Sequence, residues 1–137
     1  MTNTAVLETK ISAIQRYLGI LEAYKKFTKE QIQKDVTLHG AVERYLYLAS
    51  QATIDLAEAL ISYKGFRRPA ILKEAFEILK ENNIISSELS DKMIGLVGFR
   101  NVVAHDYEEI NYDIVYDVLL NRLSDIESFI AIVEKQL

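Results

Sequence analysis

The chain has no cysteine, a single proline and only five glycines in 137 residues. Without cysteine there are no disulfides and no thiolate metal sites. With so few chain breakers and no low-complexity tract, long uninterrupted elements are permitted. No apolar run exceeds five residues, so nothing in the sequence reads as spanning a membrane. The opening Met1-Thr2-Asn3-Thr4 lacks a basic stretch followed by an apolar core, so no signal peptide is expected and the expected compartment is the cytoplasm. Positive charge is also in deficit. The net charge of −4 argues against broad, charge-driven binding to nucleic acid, yet it does not exclude an enzyme that grips one or two phosphates locally. There are only two histidines, His39 and His105, so a histidine-rich metal site is not expected. His39 reads as structural or incidental.

What is present is ordinary for a globular chain: half of the residues are hydrophobic and 26% are charged. A chain of this length is expected to form a single domain, residues 1–137, that buries roughly two thirds of the surface exposed when unfolded. From about Val6 to Phe27, Leu7, Ile11, Ile14, Leu18 and Leu21 recur in steps of four and three, one face of a helix. Asn3 or Thr4 is a fitting N-cap. Tyr17 and Tyr24 edge that face, as core or dimer contacts. Lys25 to Asp35 reads as a polar, mixed-charge connection.

A second helix is expected from about Leu38 to Tyr63, with Val42, Tyr45, Ala49, Ala52, Leu56, Ala59 and Tyr63 in line. Its small residues would let another helix approach closely. Glu43, Arg44, Asp55 and Glu58 lie in or beside this stripe and read as surface charge or as charges paired near a cleft. Gly65 suits a left-handed helix stop and Pro69 the first turn of a third helix, to about Glu81. In that helix Ile71, Leu72, Ala75, Phe76 and Leu79 should point inward. Ser86 or Ser87 should cap a fourth helix, with Leu89, Met93, Leu96 and Val97 on its apolar face. Gly95 and Gly98 weaken a helix, so close packing would explain them. Asn111 is a fitting cap for a last helix, to about Lys135, along which Val115, Leu119, Ile126, Phe129 and Val133 keep the period and Arg122 interrupts it. No strand and no repeat is evident. The expected fold is all-α, an antiparallel bundle of about five helices.

One stretch concentrates reactive side chains: Gly98-Phe99-Arg100-Asn101-Val102-Val103-Ala104-His105-Asp106-Tyr107. A histidine can give or take a proton near neutral pH. An arginine can grip a phosphate with two donors and stabilise charge developing on it. Together they suit cleavage of a phosphodiester without a metal ion. In RNA the neighbouring 2′-hydroxyl can be the nucleophile, leaving a 2′,3′-cyclic phosphate and a 5′-hydroxyl; DNA lacks that group. On a continuous helix Arg100 and His105 would point roughly 140° apart. They meet on one phosphate only if the helix distorts or ends between them, or if a second subunit completes the site. Twofold symmetry is the simplest route, so a homodimer with a composite cleft is expected. The plainer alternative is an arginine and a histidine that only satisfy a helix end. The basic cluster Lys64, Arg67 and Arg68 could contact RNA or an acidic partner, or be a solvated loop.

The segment Gly98 to Tyr107, with Met93-Ile94-Gly95-Leu96 before it and Glu108 to Val115 after it, resembles HEPN-domain ribonuclease toxins, and more closely the HepT group. That family's motif is an arginine, four to six residues, then histidine, with a polar residue after the arginine and, in the HepT form, tyrosine two after the histidine. Similarity extends through Thr37-Leu38, Val42 and Ala52 to Ala57. The resemblance implies Arg100 and His105 as catalytic and Asn101 as supporting. It implies Tyr107 as the residue adenylylated by a cognate MntA-type nucleotidyltransferase antitoxin, RNA as substrate, and no cofactor for this chain, ATP and magnesium belonging to the antitoxin. HEPN domains also include non-nucleases, so a non-catalytic dimeric helical interaction module is the alternative.

Overall fold

The computed structural model describes residues 3–105 and 110–137, except for the side chain of His105. Among these residues every regular element is helical. The first helix, α1 (Thr4–Glu22), starts where the Asn3 side chain accepts the Val6 N–H at 3.1 Å, and buries Leu7, Ile11, Ile14, Leu18 and Leu21, the face its spacing marks. It tightens into a 3-10 turn, Ala23–Lys26, rather than running on to Phe27. The connection expected next contains a short helix, α2 (Lys29–Lys34). A reciprocal cap starts it: the Gln31 N–H donates to the Thr28 hydroxyl at 3.1 Å, and the Thr28 N–H donates to the Gln31 side chain at 2.8 Å. Only Ile32 of α2 is buried, too little to register as a period.

The longest helix, α3 (Val36–Lys64), is capped by Asp35 and stopped by Gly65 at φ 72°, the left-handed conformation that glycine tolerates. It packs against α1, α2, α4 and α5 and is the axis of the molecule. Its buried face is broader than the expected stripe, adding Leu46, Ser50, Thr53, Ile54, Ala57, Leu60 and Ile61. The buried hydroxyls stay satisfied by donating to carbonyls one turn back: Ser50 to Leu46 and Thr53 to Ala49, both at 2.7 Å.

Helix α4 (Glu74–Glu81) begins five residues after Pro69, so the proline does not open it. Ile71 accordingly lies outside the helix and is 53% exposed rather than inward. Helix α5 (Ser87–His105) starts where the Ser86 hydroxyl accepts the Leu89 N–H at 3.1 Å, and it is unbroken through His105. Gly95 and Gly98 face open space within the chain, so the close packing expected of them is not made to any described part of it. Asn111 caps α6 (Tyr112–Asp117) by accepting the Asp113 N–H. A π turn, Val118–Arg122, joins it to α7 (Leu123–Glu134). That turn explains the interrupted period. The extra residue carries Arg122 outward and returns Leu123 to the core.

Buried apolar residues from all seven helices form one cluster. At its heart Phe76 of α4 meets the edge of Phe129 of α7, ring centres 5.5 Å apart. Each such ring is worth about 2–3 kcal/mol in burial. No helix among the described residues is long and apolar enough to cross a membrane.

Candidate active site

The first half of α3 and the last turns of α5 run side by side and leave a cleft of about 460 Å³ between them. α3 contributes Gly40, Glu43, Arg44 and Tyr47, and α5 contributes Arg100, Val103 and Ala104. Arg100 is held from three sides. Its Nε donates to the Gln51 side-chain oxygen at 2.7 Å, its Nη1 to the Asn101 side-chain oxygen at 2.9 Å, and its Nη2 to the Tyr47 hydroxyl at 3.4 Å. The Tyr47 ring lies under the guanidinium, 5.4 Å from its carbon. Gln51 is itself oriented, because its amide nitrogen donates to Asp55 at 2.9 Å and so turns its oxygen towards Arg100.

All three acceptors on Arg100 are neutral. Among the described residues, no carboxylate lies within ion-pair distance of it. Three of its five N–H donors are used for positioning, and the full charge is left for something else. A phosphate is the group that such a fork fits.

Beside the cleft sits a second polar cluster. The Tyr112 hydroxyl of α6 donates to Glu43 at 2.7 Å, and His39 Nδ1 contacts the same hydroxyl oxygen while its ring stacks on Tyr112 at 5.5 Å. Since the hydroxyl proton goes to Glu43, His39 bonds as an Nδ1–H donor. Burial first, then the hydrogen bond to and the charge of Glu43, push the Tyr112 phenol well above its ordinary range. His39 thus ties α6 to α3.

The model of the family described as HepT-like, "Ribonuclease HepT-like", matches residues 14–133. The chain belongs to the HepT-like ribonuclease family. As a member it is an endoribonuclease. It is 33% identical over 132 residues to the mRNA nuclease HepT of Shewanella oneidensis, spanning 96% of this chain and 98% of that protein. It is 28% identical over 118 residues to the tRNA nuclease HepT of Aphanizomenon flos-aquae, spanning 85% and 80%. Its fold matches the tri-AMPylated Shewanella oneidensis HEPN toxin solved in complex with its MNT antitoxin, with a TM-score of 0.87 at 32% identity over 95% of this chain and 97% of that one.

Of the residues expected to form a HepT-like site, Arg100 and Asn101 are brought together, and the backbone of His105 ends α5 one residue beyond the cleft-lining Ala104. The side chain of His105, and Tyr107 altogether, lie outside the described residues. Lys64, Arg67 and Arg68 sit at and beyond the far end of α3, about 20 Å along the helix from Gln51. Arg67 is already engaged by Glu74 and Glu81, at 3.2 Å each. Lys64 and Arg68 are exposed.

Two contributors were not anticipated as site residues, Tyr47 and Gln51; a third, Asp55, acting through Gln51, was read only as surface charge or as a charge paired near a cleft. With Arg44 they follow steps of three and four along α3, a polar stripe the sequence does contain. His39 and Glu43, one turn apart, are a second overlooked signal. Among the described residues no group of three histidines or carboxylates could hold a metal ion.

Proposed function

We propose that this chain is the toxin of a toxin–antitoxin pair. It cuts RNA with the RNA's own 2′-hydroxyl as nucleophile, needs no metal ion, and is silenced by adenylylation of Tyr107. The observation that carries this reading is the Arg100 guanidinium, fixed in an open cleft by three neutral oxygens, with no carboxylate partner among the described residues. In the reaction the 2′-hydroxyl gives up its proton and its oxygen bonds to phosphorus. The bond from phosphorus to the 5′-oxygen breaks, and that oxygen takes a proton. Arg100 balances the charge on the non-bridging oxygens, His105 handles the proton, and Asn101 keeps Arg100 in place.

The same geometry supports a homodimer. Because α5 is unbroken through His105, positions 100 and 105 stay about 140° apart on one chain. A second copy supplies the complement. The face of α5 that carries Ile94, Gly98 and Asn101, flanked by the exposed Ile71, forms an apolar groove open to solvent. Gly95 and Gly98, unexplained within one chain, would there allow a partner helix to approach.

The antitoxin follows from the relatives, since the Shewanella toxin is tri-AMPylated and complexed with an MNT antitoxin. ATP and magnesium belong to that partner. An AMP on Tyr107 would place a phosphodiester and a base near Arg100, in competition with RNA.

Expression of the wild type should arrest cell growth, and Arg100→Ala or His105→Ala should abolish the arrest. Equal toxicity of both variants at equal expression would overturn the assignment. Cleavage should persist in a chelator; loss there with recovery on adding magnesium would refute the metal-free reaction. Tyr107→Phe should resist inactivation by antitoxin and ATP, and full AMP addition to that variant by intact mass would remove Tyr107 as acceptor.

A further inference from the structure

The cleft holds a second guanidinium that the reaction above does not use. Arg44 lies one turn before Tyr47 on α3 and lines the same cleft. Its guanidinium carbon is 5.8 Å from the centre of the Tyr47 ring, the ring that also lies under Arg100 at 5.4 Å. Two cations thus lie beside one aromatic ring, close enough for one short stretch of nucleic acid to meet both. Like Arg100, Arg44 has no carboxylate partner among the described residues. Among the described residues the one carboxylate lining the cleft, Glu43, is occupied by the Tyr112 hydroxyl and faced by His39. Two like charges over one ring, in a chain of net charge −4, repel one another unless an anion joins them.

We propose that Arg44 is a second phosphate-binding residue of the RNA site. It takes a phosphate neighbouring the scissile one, while the Tyr47 ring holds the two guanidiniums near each other. The inference rests on the nuclease reading of Arg100 and extends it. Arg100 acts on the phosphate that reacts, whereas Arg44 holds the strand in register and contributes mainly to binding.

The test uses the purified full chain and a fluorescent single-stranded oligoribonucleotide made uncleavable by 2′-O-methyl groups. Affinity is measured by anisotropy across a salt series, and cleavage is followed separately on the unmodified RNA. Arg44→Ala should weaken binding about five- to tenfold and flatten the salt dependence by roughly 0.7 in log–log slope, the signature of one lost phosphate contact on a single strand. Arg44→Lys should keep the slope and recover most of the affinity. Arg44 is exposed, so the fold should survive, which a thermal melt checks. Unchanged affinity and slope in Arg44→Ala, alongside loss of cleavage in Arg100→Ala, would overturn the inference and leave the nuclease standing. Cleavage undiminished in Arg100→Ala would instead remove the reading on which it rests.

Discussion

Arg100 and Arg67 are both arginines on the rim of the bundle, and they are opposites. Arg67 is gripped by two carboxylates, with Nε and Nη2 forked onto Glu81 and Nη1 on Glu74. Arg100 has the same number of hydrogen bonds and, among the described residues, none of the charge compensation. The difference shows where to look for a site. The presence of an arginine says little; the charge of its partners says whether it is spoken for. Lack of a carboxylate is not enough on its own, since the exposed Lys64 and Arg68 also meet none among the described residues; what sets Arg100 apart is that three neutral side chains fix its direction. A net charge of −4 does not by itself exclude a phosphate site, since one guanidinium fixed by three side chains can act locally.

The contrast can be broken by substitution. Arg100→Ala should cost about 10²–10³ in turnover, the usual loss when a charge-stabilising donor is removed, with little change in melting temperature. Arg67→Ala should leave turnover nearly unchanged and lower the melting temperature only slightly. A sharper version makes Arg100 resemble Arg67. Gln51→Glu puts a carboxylate against its Nε, strengthening that hydrogen bond and occupying the charge. The variant also loses the Gln51 bond to Asp55 and sets two carboxylates one turn apart, so it should melt slightly lower. It should cleave RNA roughly ten- to a hundredfold more slowly while still folded. Unchanged cleavage with an intact fold would mean that the neutrality of the partners on Arg100 does not matter.

Much of the fold was legible because burial imposes a period. Leu7 to Leu21 and Leu89 to Val97 follow their spacing into the core, and Asn3, Ser86 and Asn111 cap as their chemistry dictates. Failures came where a local signal was overridden or too short. Pro69 looked like a helix start, but the segment after Gly65 runs extended to it, and Glu74 opens the helix. α2 was hidden because one buried isoleucine makes no pattern. The π turn was visible only as Arg122 out of step. For the site, sequence exposed the motif on α5 but not its frame on α3. Tyr47 and Gln51 lie 53 and 49 residues before Arg100, and nothing local says that the two stretches touch. That pairing is set by tertiary packing of α3 against α5.

The smallest expected effect concerns the arginine that is spoken for. Arg67 and Glu81 are exposed and Glu74 is partly so, so the cluster is screened by water and its loss should lower the melting temperature only slightly. Its pH dependence is nonetheless diagnostic. The Arg67 hydrogen bond first, and then its charge, hold the Glu81 carboxyl below its ordinary value of 4.5. A carboxyl whose folded value is depressed stabilises the fold above its unfolded value, and the benefit is lost as pH falls through the folded one. The gap in melting temperature between wild type and Arg67→Ala should therefore be constant near neutrality, begin to close at about pH 4.5, and vanish below the depressed value. Cleavage by Arg67→Ala at neutral pH should stay within about twofold of wild type, because in a binding contact the loss would be of the order seen for a phosphate ligand. A gap that widens on acidification would mean that Glu81 is not the partner. A salt-dependent loss of RNA affinity would return Arg67 to the RNA contacts that its sequence context first suggested.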